Sequence, residues 1–376
     1  MDFDLTEEQQ LLRNTARDFL SSEFPSDIVK EMAESETGYS PELWRKMAEL
    51  GWLGLAIPEE YEGMGMGFMD LAILLEEMGR ACYSGPFFST SLLGASTILD
   101  AGSEAQKKEL LPRIASGDLI VALALTESSV AYEPWGVQLT AVSDDDDFVL
   151  NGTKLFVENA TVADLIITVA CTKEGNDKDG ISLFLVHPKS QGVNPSLQNT
   201  VVGDKQCEVV YDNVRIPASD VLGALNEGWP VVEGAIERAT AALCAYMVGG
   251  AQKTLEMSTT YAKERHQFGQ PIGAFQVIQH YCADMMIDVD ACRFLMCQAV
   301  WKVSEGLPAT LEVSMAKSFI GETYRKLTLT GHRIHGGIGF CMDHDMPLYF
   351  KRSWSAEPTF GDSSYHRERV ANLIGL

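Results

Sequence analysis

The chain has 376 residues, too many for one small core and suited to two or three packed domains. With 46% hydrophobic and 22% charged residues it has the balance of a soluble globular protein. Its 29 Lys and Arg against 53 Asp and Glu leave a net charge of -24, a field that repels phosphate backbones and anionic membranes and argues against a nucleic-acid partner.

The opening Met1-Asp2-Phe3-Asp4 is acidic, with no apolar run, and reads as neither a signal nor a transit peptide. Thr6-Glu7-Glu8-Gln9 has the capping-box pattern, and Leu12, Ala16, Phe19 and Leu20 follow at helical spacing. Gly63, Gly65 and Gly67 make a glycine-rich connection to a helix around Leu71–Met78. These features predict a helical region over about 1–117.

From about residue 118 the period becomes that of strands. Leu119–Leu125 reads as a buried strand, and Asn151-Gly152, between Phe148–Leu150 and Lys154–Val157, reads as a hairpin turn. Leu165–Ala170, Ile181–Val186 and Val209–Val214 add strands, and the charged run Lys173–Asp179 reads as a solvated loop tip. The stretch 118–225 is predicted to be a β domain, a barrel or a sandwich.

Long helices return after Gly228 and fill 226–376. Ile278, Cys282, Met285, Val289, Cys292, Met296, Ala299 and Val303 keep a period near 3.5, stopped by Gly306 and Pro308. Ala316, Phe319, Ile320, Thr323, Leu327 and Thr330 make the next stripe. The fold class is α+β and multidomain: helical, then β, then a bundle of long antiparallel helices. The eight cysteines form no CxxC pair and read as reduced residues of a cytoplasmic protein, with no metal site and no membrane span.

Four segments carry chemistry: Ala124-Leu125-Thr126-Glu127-Ser128; Tyr211-Asp212-Asn213-Val214-Arg215-Ile216-Pro217 with Gly223 and Gly228; Arg265-His266-Gln267-Phe268-Gly269-Gln270-Pro271-Ile272 running into Phe275-Gln276; and His335-Gly336-Gly337-Ile338-Gly339-Phe340. In this order, with the α–β–α domain sequence, they resemble the acyl-CoA dehydrogenase family. The resemblance implies a four-helix-bundle C-terminal domain, FAD held at a dimer interface and a dimer-of-dimers tetramer. It also implies α,β-desaturation of an acyl-CoA thioester in catabolism such as β-oxidation, with electrons passed to an electron-transferring flavoprotein. Coenzyme A is anionic, so its site needs local cations within the acidic whole.

Read from the residues, Thr126 ends a buried strand, where its hydroxyl can reach a flavin edge. Arg265 offers a planar cationic fork for a pyrophosphate, and Gly336 and Gly337 let backbone amides approach phosphate oxygens. The resemblance places Phe156 and Glu158 against the flavin, Glu158 being a departure from the family's Thr or Ser. It adds Gln267, Phe268, Gln276, Arg333 and Ser363 to the cofactor contacts. The volume of the acyl pocket depends on side chains whose facing the sequence leaves open, among them Tyr246, Met247 and Trp354.

The family's proton-abstracting glutamate sits in an aromatic-Glu-Gly-Thr pattern, and the corresponding stretch here is Phe360-Gly361-Asp362-Ser363. Gly361 therefore stands in the glutamate's place; it cannot accept a proton but keeps the backbone N–H that the family aims at the substrate enolate. Substitutes are Asp362, one residue on, and Glu237, on the first long bundle helix, where some family members carry the base. Counting back from Gln252, however, the matching position is Ala239, about 200° away around a helix from Glu237. Glu357, one turn before Gly361, is a third candidate. The C-terminal run resembles bacterial enzymes of sterol side-chain, dicarboxylate and alicyclic or aromatic acid catabolism, several of them α2β2 heterotetramers in which one chain carries the base. The expected function is an FAD-dependent acyl-CoA dehydrogenase, as a homotetramer or with a base-bearing homologue. The alternatives are a non-catalytic subunit completing the flavin pocket and an acyl-CoA oxidase.

Overall fold

A computed structural model describes residues 5–173 and 178–376. The Met1–Asp4 segment and the tip of the charged run, 174–177, lie outside the described residues. In chain order the helices begin with α1 (Glu7–Glu23), α2 (Ser26–Glu34), α3 (Pro41–Glu49) and α4 (Phe68–Arg80), then a π-helical segment (Phe88–Gly94), α5 (Ala95–Ala101) and α6 (Glu104–Ala115). The strands are β1 (Val121–Ala124), β2 (Thr140–Asp144), β3 (Asp147–Glu158), β4 (Leu165–Cys171), β5 (Ile181–Val186), β6 (Val193–Leu197), β7 (Gln206–Pro217) and β8 (Val221–Leu222). After α7 (Gly228–Glu264) a small hairpin pairs β9 (His266–Gln267) with β10 (Gln270–Pro271), followed by α8 (Gln276–Ser304), α9 (Thr310–His335), α10 (Met346–Ala356) and α11 (Ser363–Leu373). Among the described residues no helix is long and apolar enough to cross a membrane.

These elements form two compact units. The first takes Met1–Lys30, Phe68–Tyr83 and Glu237–Leu376; the second takes Glu31–Gly67 and Ser84–Ile236.

In the helical unit, α1 starts as its sequence predicts: Thr6 Oγ1 accepts the Gln9 N–H and Gln9 Oε1 accepts the Thr6 N–H, both at 3.2 Å. Helix α4 crosses α7 at glycines. A Cβ on Gly79 would lie 1.8 Å from the Tyr246 carbonyl oxygen, and one on Gly249 would lie 1.8 Å from that of Glu76. Two buried carboxylates of α4 tie in neighbouring helices: Arg17 of α1 donates to Glu77 at 2.7 and 3.0 Å, and Arg293 of α8 donates to Glu76 at 2.6 Å. Helices α7 and α9 run parallel, because contacts advance together along both: Glu237 with Thr310, Gly250 with Tyr324, Thr254 with Gly331. The stripe on α8 is buried as predicted at Met285, Val289, Cys292, Met296 and Ala299, and Gly306 ends the connection at φ +63°. On α9 the stripe holds except at Phe319, which is 39% exposed.

The second unit contains one mixed eight-stranded sheet in the order β6-β7-β3-β2-β4-β5-β8, with β1 parallel to β4. The predicted turn at Asn151-Gly152 is not a turn. Asp147–Glu158 runs as one strand, paired along its length with β7 and carrying a register shift between Leu150 and Gly152. Gly152 is needed there because a Cβ would meet Leu139 at 2.9 Å, and the Asn151 side chain accepts the Asn213 N–H at 2.9 Å. The chain reverses instead at Asp145, φ +55°, between β2 and β3.

Candidate active site

In the sheet unit the predicted flavin-facing residues come together. Thr126 lies just beyond β1, and its carbonyl accepts the Leu155 N–H at 2.8 Å, setting it beside Phe156. Phe156 is 46% exposed and has φ +56°, a conformation a bulky residue adopts only where its surroundings impose it. A fully buried ion pair holds this corner. Lys154 Nζ donates to Glu127 Oε1 at 2.7 Å and to the Leu125 carbonyl at 3.0 Å. The same carboxylate oxygen accepts the N–H groups of Gln138 and Leu139 at 2.9 and 3.0 Å. Burial lowers the Lys154 pKa to about 8 against the opposing pull of Glu127. Glu158 lies at the end of β3, in register with Gln206.

In the helical unit the predicted cofactor contacts fall into two groups. One group sits where α7 and α9 end side by side, marked by Tyr261 stacked on His335 with centroids 4.6 Å apart. Arg265, Gln267, Arg333, Gly336 and Gly337 are all exposed there. Phe268, at φ +53°, is 92% exposed, its ring edge-on to Phe275 just before Gln276. A Cβ built on either Gly336 or Gly337 meets nothing within 4 Å.

The other group is the bend between α10 and α11. Ser363 packs beside Gly321 of α9, fourteen residues, or about 21 Å of helix, from His335. Buried side chains hold the backbone carbonyls of the bend. Lys317 Nζ, buried on α9, donates to the carbonyls of Glu357 and Gly361 at 2.6 and 2.7 Å. His366 Nε2–H donates to the Phe360 carbonyl at 2.9 Å, which fixes its neutral tautomer. The Gly361 N–H donates to the Pro358 carbonyl at 3.1 Å. Burial drives both basic groups toward neutrality, Lys317 to about 8 and His366 to about 4, the latter helped by the neighbouring Lys317 charge.

The carboxylates offered as bases each have a structural partner. Asp362 is the N-cap of α11, its side chain accepting the Tyr365 N–H at 2.7 Å. Glu357 Oε1 accepts the Ser363 N–H at 3.0 Å, and its other oxygen lies 3.6 Å from Arg325. Glu237 Oε2 accepts the Thr310 hydroxyl at 2.5 Å. Helix α7 runs without a bulge through Glu237 and Ala239, so the local shift that would bring Glu237 round to the Ala239 face is not present. Of the side chains whose facing the sequence left open, Tyr246 donates its hydroxyl to the Tyr83 carbonyl at 2.8 Å, Met247 is fully buried, and Trp354 lies 3.6 Å beneath the Arg325 guanidinium.

Sequence reasoning missed Lys317 and the Glu127–Lys154 pair. For Lys317 a signal existed: it is a lone cation inside the apolar stripe Val313, Ala316, Ile320. Residues 6–118, 122–214 and 226–375 match the profiles of the N-terminal, middle and C-terminal domains of acyl-CoA dehydrogenase. The chain belongs to the acyl-CoA dehydrogenase family, oxidoreductases acting on CH–CH bonds. It is 34% identical over 385 residues to the probable acyl-CoA dehydrogenase YngJ of Bacillus subtilis (strain 168), covering 100% of both chains. Its fold matches the glutaryl-coenzyme A dehydrogenase glutaryl-CoA complex with TM-score 0.95, 30% identity and coverage of 100% and 97%. It also matches the structure described as PigA with FAD and proline, with TM-score 0.92, 26% identity and full coverage of both chains.

Proposed function

We propose that the chain is an FAD-dependent acyl-CoA dehydrogenase subunit that desaturates an acyl-CoA thioester, the α-proton being accepted by a second, base-bearing chain in an α2β2 assembly. The observation that carries this reading is the commitment of the chain's own carboxylates. Asp362 caps a helix, Glu357 holds the bend and Glu237 holds Thr310. A carboxylate engaged in this way is held by its partner, and turning it toward a substrate α-carbon breaks the bond it makes.

The residues fit the cofactor. The Ser363 hydroxyl is buried without a protein partner, an unsatisfied group a ligand can satisfy. The open backbone at Gly336 and Gly337 and the exposed Arg265 can grip a pyrophosphate. In one chain the Ser363 group stands beside the middle of α9 and the Arg265 group beyond its C-terminal end, a separation that suits a cofactor shared between subunits. Bound there, FAD would supply the acceptor for the β-hydrogen as hydride. Thr126 and Phe156 would fix the ring's edge and face, and the Glu127–Lys154 pair would hold that corner rigid. Exposed apolar residues on α8, Ile287 at 67% and Phe294 at 56%, suit burial against another subunit. The family resemblance supplies the electron acceptor of this reading, an electron-transferring flavoprotein.

The test is the flavin spectrum with acyl-CoA thioesters, for the chain alone and co-purified with a base-bearing homologue. Loss of the long-wavelength flavin band is expected only in the mixed complex, and Glu237→Gln is expected to leave that rate within about twofold. Bleaching by the chain alone that Glu237→Gln abolishes would sink the reading and return the base to Glu237.

A further inference from the structure

The family pattern aromatic-Glu-Gly-Thr can be laid on this chain in two registers. One puts Phe360 at the aromatic and Gly361 at the glutamate; the other puts Phe360 at the glutamate, with Thr359, Gly361 and Asp362 in the places of the aromatic, the glycine and the threonine. Backbone geometry separates them. A glycine in such a pattern is selected where φ is positive, and a threonine before a helix is selected as its N-cap. Gly361 has φ +98°, and a Cβ there would sit 2.3 Å from Tyr365 Cδ1 and 2.8 Å from Cε1. Asp362 is the N-cap of α11, with φ −77° and ψ 176°. In the other register the glycine would fall on Asp362, whose extended backbone needs none. The threonine would fall on Ser363, already inside α11 and making no cap.

We propose that Phe360, not Gly361, occupies the place of the family's proton acceptor, so that this chain presents an aromatic wall where the carboxylate would be. Phe360 is half-buried at φ +58°, an unfavourable conformation for a bulky side chain. The bonds around it hold it there: His366 on its own carbonyl, Lys317 on the carbonyl of Gly361, and the Gly361 N–H on Pro358. An over-determined bend of this kind fixes where the side chain at 360 projects, whatever that side chain is. The inference rests on the proposed function for its chemistry, and it makes the chain re-armable by one substitution.

The experiment compares Phe360→Glu with Gly361→Glu in the full chain purified with FAD. Three readouts apply: melting temperature, bleaching by butyryl-CoA, and exchange of the α-hydrogens of butyryl-CoA with D2O. In the exchange a carboxylate takes the α-proton, the C–H electron pair stays on the enolate, and a deuteron returns from solvent, with no net oxidation. Phe360→Glu is expected to keep its melting temperature within a few degrees and to raise exchange at least about 100-fold over wild type, the scale of a positioned general base. Gly361→Glu is expected to melt lower and to gain nothing. Relieving the clash with Gly361→Glu/Tyr365→Ala is expected to restore melting without exchange. A gain confined to position 361 overturns the assignment, as does the absence of a gain in folded, flavin-loaded Phe360→Glu. Bleaching by the unmodified chain alone would instead count against the two-chain reading, and the increment at 360 over that baseline still decides the register.

Discussion

Lys317 shows what one buried cation does to this fold. Its ammonium replaces water with two carbonyls, and burial holds its pKa near 8 rather than 10.5. That depression corresponds to about 3 kcal/mol at roughly 1.4 kcal/mol per pH unit. The folded state holds the proton less tightly than the unfolded state, so the cost is fully present below pH 8 and is relieved as pH rises toward 10.5. Wild-type stability relative to Lys317→Met should therefore rise between pH 8 and 10.5 and be flat below pH 8, as urea midpoints across that range would show. The variant leaves two carbonyls without a donor, at ~1–3 kcal/mol for each buried group. A lysine at 317 interrupts an apolar stripe, but the sequence could not say what it reaches, because Gly361 is 44 residues away in the chain.

Elements pack here through close backbone approach as well as through apolar stripes. At the α4–α7 crossing a single methyl on Gly79 or Gly249 must push a carbonyl oxygen from 1.8 Å to an ordinary contact distance, and a backbone cannot swing aside as a side chain can. Either Gly→Ala change should cost about 3 kcal/mol or more by denaturant unfolding. A loss below ~0.5 kcal/mol would mean the helices separate freely. The capping box of α1 was legible because its partners lie three residues apart. The Asn151-Gly152 turn was misread because the pairing that overrides it comes from β7, about sixty residues away. Local turn chemistry lost to a non-local ladder, and the glycine serves a bulge rather than a hairpin.

At the scale of the whole molecule, a chain with net charge -24 keeps apolar side chains on the outside of α8. Ile287 and Phe294 are seven residues apart and share a helix face. Ile287→Glu/Phe294→Glu should leave the helical circular dichroism unchanged, lower the solution mass by light scattering, and reduce the FAD retained on gel filtration. An unchanged mass would place the subunit contact elsewhere.

Sequence by itself determined the helix–strand–helix order, the family, and the long stripes of the bundle, because periodicity and short motifs are local properties of a chain. It also raised the expectation that the family's usual glutamate is missing. Only the tertiary structure decided how the bend at Gly361 is held and what the neighbouring carboxylates do. Those answers depend on a backbone dihedral at Gly361, a helix cap at Asp362, and a lysine brought in from another helix. Such features arise when distant segments close on one another, and a linear pattern does not carry them.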